Sequence, residues 1–373
     1  MKLIATLGST EPKFKHKYFI KDKVLESNFS FEALKDYFNV ADKDVVIIGT
    51  SQTQEKLGEY IKNYNFVEVP SDDFKRIFAV FIKIIENGDI LDLSQSFRSL
   101  PMGAFLSYGF SKSLGKEVKE IFYSQVKDNK NAVKEACEFD FVSLKKYDDM
   151  VELLREINLF LESFQVLKKD IQSDIFKIHN NLVLISDKLY SNNLDIKKEI
   201  NEILNEIKRI KEKESFLKKH LEKLYEEIKK LDVILSFKES LRFINMSEIL
   251  YSKNMLLQSL TMLFEGVLAY LDEKTKPNYK CKKGQKEFNK NSSKYKYRNC
   301  LKNSLSVVRR GEKIPNYVKN NILIPNLNEY AKHLMKVDAL RNDSAHAFIN
   351  SKKAEVFKNE IKKEIDFFKR VIK

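Results

Sequence analysis

Apolar residues in the first third of the chain form short runs that alternate with amphipathic stretches. The runs predict strands at residues 2–7, 45–48, 66–69, 90–93 and 118–123. The stretches between them have helical spacing, at residues 31–39, 52–63, 72–87 and 101–114. Strands that are apolar throughout are buried on both faces, and strands that alternate with helices build parallel sheets. The pattern therefore predicts an α/β domain with a doubly wound, mainly parallel, Rossmann-like sheet.

The middle of the chain has a different pattern. Neither glycine nor proline occurs between Gly115 and Gly266, so helices are expected almost throughout. Isoleucine and leucine recur with 4-3-4-3 spacing, at positions 196, 200, 203, 207 and 210 and again at 217, 221, 224, 228, 231 and 235. This spacing predicts a long helix or a helical hairpin that packs against another helix, preceded by a break at residues 191–195. We expect an α/β domain at 1–145, a helical linker at 146–240 and an all-α domain at 241–373.

Charge is distributed unevenly along the chain. Residues 1–150 carry 22 Lys and Arg against 23 Asp and Glu, whereas residues 151–373 carry 45 against 30. Within the second part, residues 274–298 hold ten basic residues, the single acid Glu287 and four aromatic residues. Basic and aromatic side chains together suit single-stranded RNA, because they neutralise phosphates and stack on unpaired bases. A lysine-rich solvated surface without a nucleic-acid partner is the other interpretation.

The three cysteines, Cys137, Cys281 and Cys300, do not have the spacing of metal ligands. They form no C-x-x-C pair, so neither a metal cluster nor a disulfide framework is expected, and a reducing cytoplasm fits best. The most apolar stretch, residues 77–85, is short and contains Lys83, so no membrane span is expected. The opening MKLIATLG runs quickly into charged residues and does not indicate a secretory signal.

Three polar loops follow predicted strands, where doubly wound sheets bind their ligands. They are Gly8-Ser9-Thr10, Gly49-Thr50-Ser51 and Ser94-Gln95-Ser96-Phe97-Arg98. Glycine lets the backbone approach a ligand, and hydroxyl and amide groups can contact a nucleotide or a phosphate. None of the loops matches G-x-G-x-x-G or a P-loop, so a dinucleotide or ATP-hydrolysing function is not indicated. Ordinary turn chemistry also explains each loop taken alone.

The stretch RNDSAHAF, residues 341–348, lies within or at the end of a predicted helix. Arg341 and His346 are about 140° apart on such a helix, while Asn342 and His346 share a face. Two copies that face each other in a dimer could therefore line a cleft with two Arg and two His. Such a cleft suits RNA cleavage without a metal, because RNA carries its own 2′-OH nucleophile. His346 could transfer protons, Arg341 could bind phosphate oxygens, and Asn342 could orient either.

Both stretches resemble motifs of one family. RNDSAHAF resembles the R-x4-H signature of HEPN ribonucleases, in its form with Asn after the Arg. LDLSQSFRSLP, residues 91–101, resembles the strand-four motif of CARF domains, commonly L-D-I-T-H-G-F-R-S-L-P. Together with LGST after the first strand, they make the chain similar to CARF-HEPN ancillary ribonucleases of type III CRISPR defence. The resemblance spans nearly the whole chain.

The resemblance implies a homodimer whose CARF domains bind a cyclic oligoadenylate, which activates a dimeric HEPN cleft that degrades single-stranded RNA. Arg341 and His346 would be catalytic, supported by Asn342, with no metal and no further cofactor. The loops at residues 8–10 and 94–98 would line or shape the ligand pocket, and Phe97 could equally belong to the core. Ser94-Gln95-Ser96 departs from the usual Thr-His-Gly. The ring size of the activator, and whether the CARF domain cleaves it, therefore stay open.

Two other functions remain compatible with the sequence. One is a non-enzymatic nucleotide sensor that binds nucleic acid or a protein partner through its basic helical half, because CARF folds also occur in helix-turn-helix regulators. Such a sensor would have no need of RNDSAH. The other is a toxin-type HEPN ribonuclease controlled by an antidote, which would leave the SQSFR loop without a role.

Overall fold

The computed structural model describes residues 1–127, 135–167, 176–211, 217–283, 286–345 and 351–372. The chain divides into two compact units, Met1–Val151 and Glu152–Lys373. The predicted bounds, an α/β domain at 1–145, a linker at 146–240 and an all-α domain at 241–373, stay a prediction.

The first unit is built on one eight-stranded sheet. Its strands are β1 (Leu3–Leu7), β2 (His16–Ile20), β3 (Lys23–Ser27), β4 (Val45–Gly49), β5 (Asn65–Glu68), β6 (Ile90–Gln95), β7 (Glu120–Val126) and β8 (Glu138–Ser143). Their order is β3-β2-β8-β7-β6-β1-β4-β5. The five strands β7, β6, β1, β4 and β5 are parallel to one another, which confirms the mainly parallel sheet.

Helices cover both faces of this sheet. They are α1 (Ser30–Phe38), α2 (Ser51–Ile61), α3 (Phe74–Ile84) and α4 (Ser99–Ser113). In β1, Leu3 and Ala5 pack in one core with residues of α1 and α2, whereas Ile4 packs in a second core with residues of α3 and α4. Successive residues of a strand point to opposite faces, so this alternation confirms the doubly wound arrangement.

Three strands were missed from the sequence. β2 and β3 form an antiparallel hairpin joined by Lys21 and Asp22, with Lys21 at a φ of 54°. This turn lacks the glycine or Asn-Gly signal that usually marks a two-residue hairpin. β8 pairs antiparallel with β7 and parallel with β2. Its EFDFVS sequence begins with apolar and polar residues in alternation, a signal that could have found it.

The second unit is helical apart from one short hairpin among its described residues. Helix α5 (Lys145–Ser163) begins in the first unit and ends in the second. It is followed by α6 (Phe176–Tyr190), α7 (Lys197–Lys211), α8 (Lys218–Ser236), α9 (Glu239–Ser252), α10 (Leu256–Glu273), α11 (Lys294–Leu305), α12 (Asn316–Lys319), α13 (Leu327–Ala345) and α14 (Ser351–Val371). The hairpin, β9 (Cys281–Lys283) and β10 (Lys286–Phe288), lies between α10 and α11. Helices α10, α11, α13 and α14 share one core, and Tyr330 of α13 donates a 2.6 Å hydrogen bond to the Val267 carbonyl of α10.

The apolar repeat of the middle region is buried as predicted, with one exception. Its isoleucines in α7 and its positions from 217 to 231 in α8 are at most 3% exposed. At the end of α8 the buried residue is Ile234 and not Leu235. An α-helix has 3.6 residues per turn, so a strict 3.5-residue repeat drifts off the buried face unless the helix supercoils. Helix α7 packs against both α6 and α8.

The cysteines differ from the expectation. Cys281 of β9 and Cys300 of α11 form a disulfide across a Cα–Cα distance of 6.0 Å, whereas Cys137 is free and buried. The expectation of no disulfide was wrong because cysteines 19 residues apart meet only when the hairpin folds back onto α11. No cluster of three His, Cys, Asp or Glu that could hold a metal occurs within the described residues. None of the helices described there is both long and apolar enough to cross a bilayer.

Candidate functional site

A cavity of about 280 Å³ lies at the carboxyl ends of β1 and β6 in the first unit. These neighbouring parallel strands end in two of the predicted ligand loops, and the Gly8 amide donates a 2.6 Å hydrogen bond to the Gln95 carbonyl. The cavity is lined by Leu7, Gly8, Ser9, Thr10, Glu11, Pro12, Lys13, His16, Asn28, Phe29, Gln95, Ser96 and Phe97. Phe97 is 44% exposed, so it lies on the rim of the cavity and not in the core.

The loop at residues 49–51 does not line this cavity. Thr50 is the N-cap of α2 and forms a capping box with Thr53, whose hydroxyl accepts a 3.1 Å hydrogen bond from the Thr50 amide. The Thr53 hydroxyl also donates to the Leu7 carbonyl of β1. A Cβ at Gly49 would lie 2.8 Å from the Thr53 side chain, so a larger residue there would displace the cap. The structure therefore gives Gly49 and Thr50 packing and capping contacts, while Ser51 is the exposed first residue of α2.

Arg98 and Ser94 also lie outside the lining. Arg98 is exposed at the start of α4. The Ser94 hydroxyl accepts from the Ser124 amide of β7 at 2.9 Å and donates to the Asp92 carboxylate. Ser94 thus connects two strands beneath the cavity.

A buried polar network supports the cavity floor. The Asp92 carboxylate accepts from the Ser30 hydroxyl at 2.6 Å and from the Ser94 amide at 3.0 Å. Complete burial raises the pKa of Asp92 to about 6, and the hydrogen bonds from Ser30 and Ser94 oppose that rise. The Gln95 side chain accepts from the Ser30 amide at 3.0 Å and donates to the Tyr18 hydroxyl at 3.2 Å. Gln95, the middle residue of the Ser94-Gln95-Ser96 stretch, is therefore fixed in the cavity wall.

The second candidate site contains Arg341, on the last turns of α13. Its guanidinium lies 4.0 Å from the centroid of the Phe264 ring of α10 and donates to the Asp338 carboxylate at 3.2 Å. Asp338 is buried and also binds Lys302 at 3.3 Å and Arg309 at 2.9 Å. Asn342 is exposed on the same helix. His346, the other predicted catalytic residue, lies outside the described residues.

A cavity of about 270 Å³ opens beside Arg341. It is lined from three helices by Phe264, Glu265, Leu268, Lys294, Tyr295, Arg298, Asn299 and Arg341. Arg298 is bound to both carboxylate oxygens of Glu239, at 3.1 and 2.8 Å. The Tyr295 ring is 74% exposed at the mouth of the cavity, which leaves it free to stack on a base.

Comparison with known proteins adds a distant likeness. No family model matches the chain, and no curated protein matches it. Among solved structures, the chain is similar to Csm6 of Enterococcus italicus bound to cyclic hexa-2′-fluoro-hexa-dAMP, with 13% sequence identity and a TM-score of 0.44. The match covers 100% of this chain and 93% of that one.

Two side chains in these cavities were not predicted from the sequence. His16 was not among the candidates, but it lines the first cavity and its Nδ1 accepts from the Cys137 amide at 3.1 Å. Burial lowers the pKa of His16, which favours a neutral ring with the proton on Nε2. Glu265 lies in the second cavity, 76 positions before Arg341 in the sequence. No local motif marks either residue, because each reaches its site only through tertiary contacts.

Proposed function

We propose that this chain is a metal-independent endoribonuclease of CRISPR antiviral defence, which acts in the cytoplasm and cleaves single-stranded RNA when a cyclic oligoadenylate binds its α/β unit. The observation that carries the proposal is the placement of Arg341, within an R-x4-H motif, in a cavity rich in basic side chains. Asp338 and Phe264 fix the guanidinium from two sides. A guanidinium fixed in advance can bind a phosphate with little loss of entropy.

The reaction uses the substrate's own 2′-OH as nucleophile. Arg341 stabilises the charge that develops on the phosphate oxygens, and His346 transfers a proton. Asn342 is exposed next to Arg341 and can orient either the imidazole or the phosphate. The exposed lysines of residues 274–298 and Tyr295 bind the strand on each side of the scissile bond, since Tyr295 and Lys294 lie at the cavity itself. Tyr279 and Tyr297 are buried in the core of the second unit and take no part in stacking.

The first cavity takes the activator. The hydroxyls of Ser9, Thr10 and Ser96 suit the phosphate and ribose groups of a cyclic oligoadenylate, and the absence of a side chain at Gly8 leaves room for them. The Phe97 ring at the rim can stack on adenine. Asp92 and Ser94 support the neighbouring strands, and the loop at residues 49–51 and Arg98 lie outside the lining, so none of them is expected to contact the ligand.

A homodimer completes both sites. The exposed face of α4 carries Met102, Phe105, Leu106, Phe110 and the adjoining Leu114, each 41–60% exposed. These positions recur at helical spacing, and the helix has one charged residue, Lys112, in a chain that is 32% charged. A second copy of the same face is its best partner, because an apolar face without charge is self-complementary about a twofold axis. This apolar face of α4 follows Phe97, which lies at the rim of the first cavity, so a dimer through α4 would bring two activator cavities together.

The dimer is tested with Leu106→Asp, with Val233→Asp as the matched control because Val233 is equally exposed on α8. Sedimentation should show a monomer for the first variant and a dimer for the second. A dimer that persists in Leu106→Asp would exclude α4 as the interface.

The function is tested by cleavage of a fluorescent single-stranded RNA in EDTA, with and without cyclic tri-, tetra- and hexa-adenylate. Wild type should cleave with one ring only, and Arg341→Ala and His346→Ala should not cleave while still binding that ring. Arg310→Ala is the control, because Arg310 is an exposed arginine paired with Glu312. Binding of a ring without any cleavage would instead identify a non-enzymatic sensor, and cleavage that ignores every ring would indicate control by an antidote.

A further inference from the structure

Glu265 differs from the other carboxylates around the second cavity. Glu239 and Asp272 are ion-paired with Arg298, and Asp338 binds three cations. Glu265 is half-buried in the cavity wall, yet its carboxyl has neither a hydrogen-bond nor an ion-pair partner within the described part of the chain. Burial raises the pKa of Glu265, and the charges of Arg298 and Arg341 act against this rise.

A half-buried carboxyl without a partner has a cost in folding free energy, because it loses water without gaining hydrogen bonds. Such groups in a cavity wall are characteristic of functional sites, where a ligand supplies the missing contact. The cavity also contains Arg341, so an RNA strand whose phosphodiester binds Arg341 would bring the adjacent ribose hydroxyl, a hydrogen-bond donor, into the cavity that Glu265 lines.

We propose that Glu265 is the general base of RNA cleavage, an inference that rests on the function proposed above. The carboxylate removes the proton from the 2′-OH, and the 2′-oxygen forms a bond to phosphorus. The bond from phosphorus to the 5′-oxygen then breaks, and the leaving oxygen takes a proton from the imidazolium of His346. The products are a 2′,3′-cyclic phosphate and a free 5′-OH, and Arg341 stabilises the negative charge between them.

The charged groups that face Glu265 are compatible with this role. They are Arg341 of α13, Arg298 and Lys294 of α11, and Glu239 of α9. Arg298 and Lys294 are both bound to Glu239, at 2.8 and 3.3 Å, so their charge is partly neutralised. Burial raises the pKa of Glu265 despite these cations, so its carboxylate is a stronger base than that of an exposed glutamate.

The test compares Glu265→Gln with Glu329→Gln, an exposed glutamate of α13 remote from the cavity, in activator-saturated single-turnover cleavage across pH 4.5–9. We expect Glu265→Gln to lower the rate about 100-fold or more, the usual contribution of a general base. It should also lose the acid limb of the pH–rate profile and keep the alkaline limb. Glu265→Asp should retain the acid limb at a reduced rate, and Glu329→Gln should match wild type.

Three outcomes would overturn the inference. The first is an unchanged cleavage rate in Glu265→Gln, and the second is a lowered rate with the acid limb of the pH–rate profile intact. The third is an altered preference for RNA bases with the acid limb intact, which would make Glu265 a residue that recognises a base. Unfolding in urea and binding of the cyclic adenylate show whether the variant is folded. If wild type never cleaves RNA, both the proposed ribonuclease function and this inference are refuted. If wild type cleaves and Arg341→Ala does not, the ribonuclease function stands and the Glu265 variants test the general base alone.

Discussion

Asp338→Asn removes the charge that holds three cations together and keeps the shape of the side chain. The side chain of Asp338 is 7% exposed, and those of Lys302, Arg341 and Arg309 are 19%, 27% and 51% exposed. A hydrogen bond to a charged group contributes about 1.5–3 kcal/mol when buried, and an exposed ion pair contributes about 0–1 kcal/mol. Asparagine still accepts one hydrogen bond, so part of this contribution remains.

From these contributions we expect a loss of about 2–3 kcal/mol in the free energy of unfolding, about 1 kcal/mol each for Lys302 and Arg341 and the remainder from repulsion among the unneutralised cations. The stacking of Arg341 on Phe264 survives the substitution and contributes about 1–2 kcal/mol. The guanidinium should therefore stay near the cavity but lose its fixed orientation. We expect kcat for RNA to fall about tenfold, less than in Arg341→Ala.

Urea unfolding followed by circular dichroism measures the first effect, and activator-dependent RNA cleavage measures the second. Glu312→Gln is the matched control, because Glu312 forms an exposed pair with Arg310 and its loss should leave both measurements unchanged. A change below about 0.5 kcal/mol in Asp338→Asn, together with wild-type cleavage, would refute the argument that Asp338 positions Arg341.

Three further predictions concern stability. Burial raises the pKa of Asp92 from 3.8 to about 6, so the folded state binds the proton more tightly than the unfolded state does. The free energy of unfolding of wild type should therefore fall by up to about 3 kcal/mol as the pH rises from 4 to 7, and Asp92→Asn should lack this fall. Urea-derived stability profiles that run parallel for the two proteins would contradict the prediction. Reduction of the Cys281–Cys300 disulfide, which spans 19 residues, should lower the free energy of unfolding by about 2–3 kcal/mol, and Cys281→Ser should be insensitive to reductant. Gly266→Ala should cost about 1–3 kcal/mol, because its Cβ would lie 2.8 Å from Ile244. Gly58→Ala should stabilise the fold by about 0.5–1 kcal/mol, because its Cβ would meet only the end of the Gln54 side chain, at 3.9 Å. Thermal melts that rank the two variants in the reverse order would be incompatible with this packing.

Much of the fold was predictable because it depends on local patterns. The apolar runs of β1, β4, β5, β6 and β7 and the amphipathic helices between them follow from residues that are close in sequence. β2, β3 and β8 were missed, since the Lys21-Asp22 turn has no glycine and the partners of these strands are distant in the chain. The exclusion of a disulfide failed for the same reason, because the approach of Cys281 to Cys300 depends on the hairpin packing onto α11.

The sequence by itself determined the doubly wound sheet, the helical second unit and the motifs that name Arg341, Gln95 and their neighbours as candidates. Periodicity and short motifs report the environment of a residue within a few turns or strands. Only the tertiary structure decided that Gln95 is fixed by Tyr18 and Ser30, and that Glu265 meets Arg341 in one cavity. Those partners are separated by 65 or more positions, and burial, pKa and charge at such sites arise from groups that only the folded chain brings together.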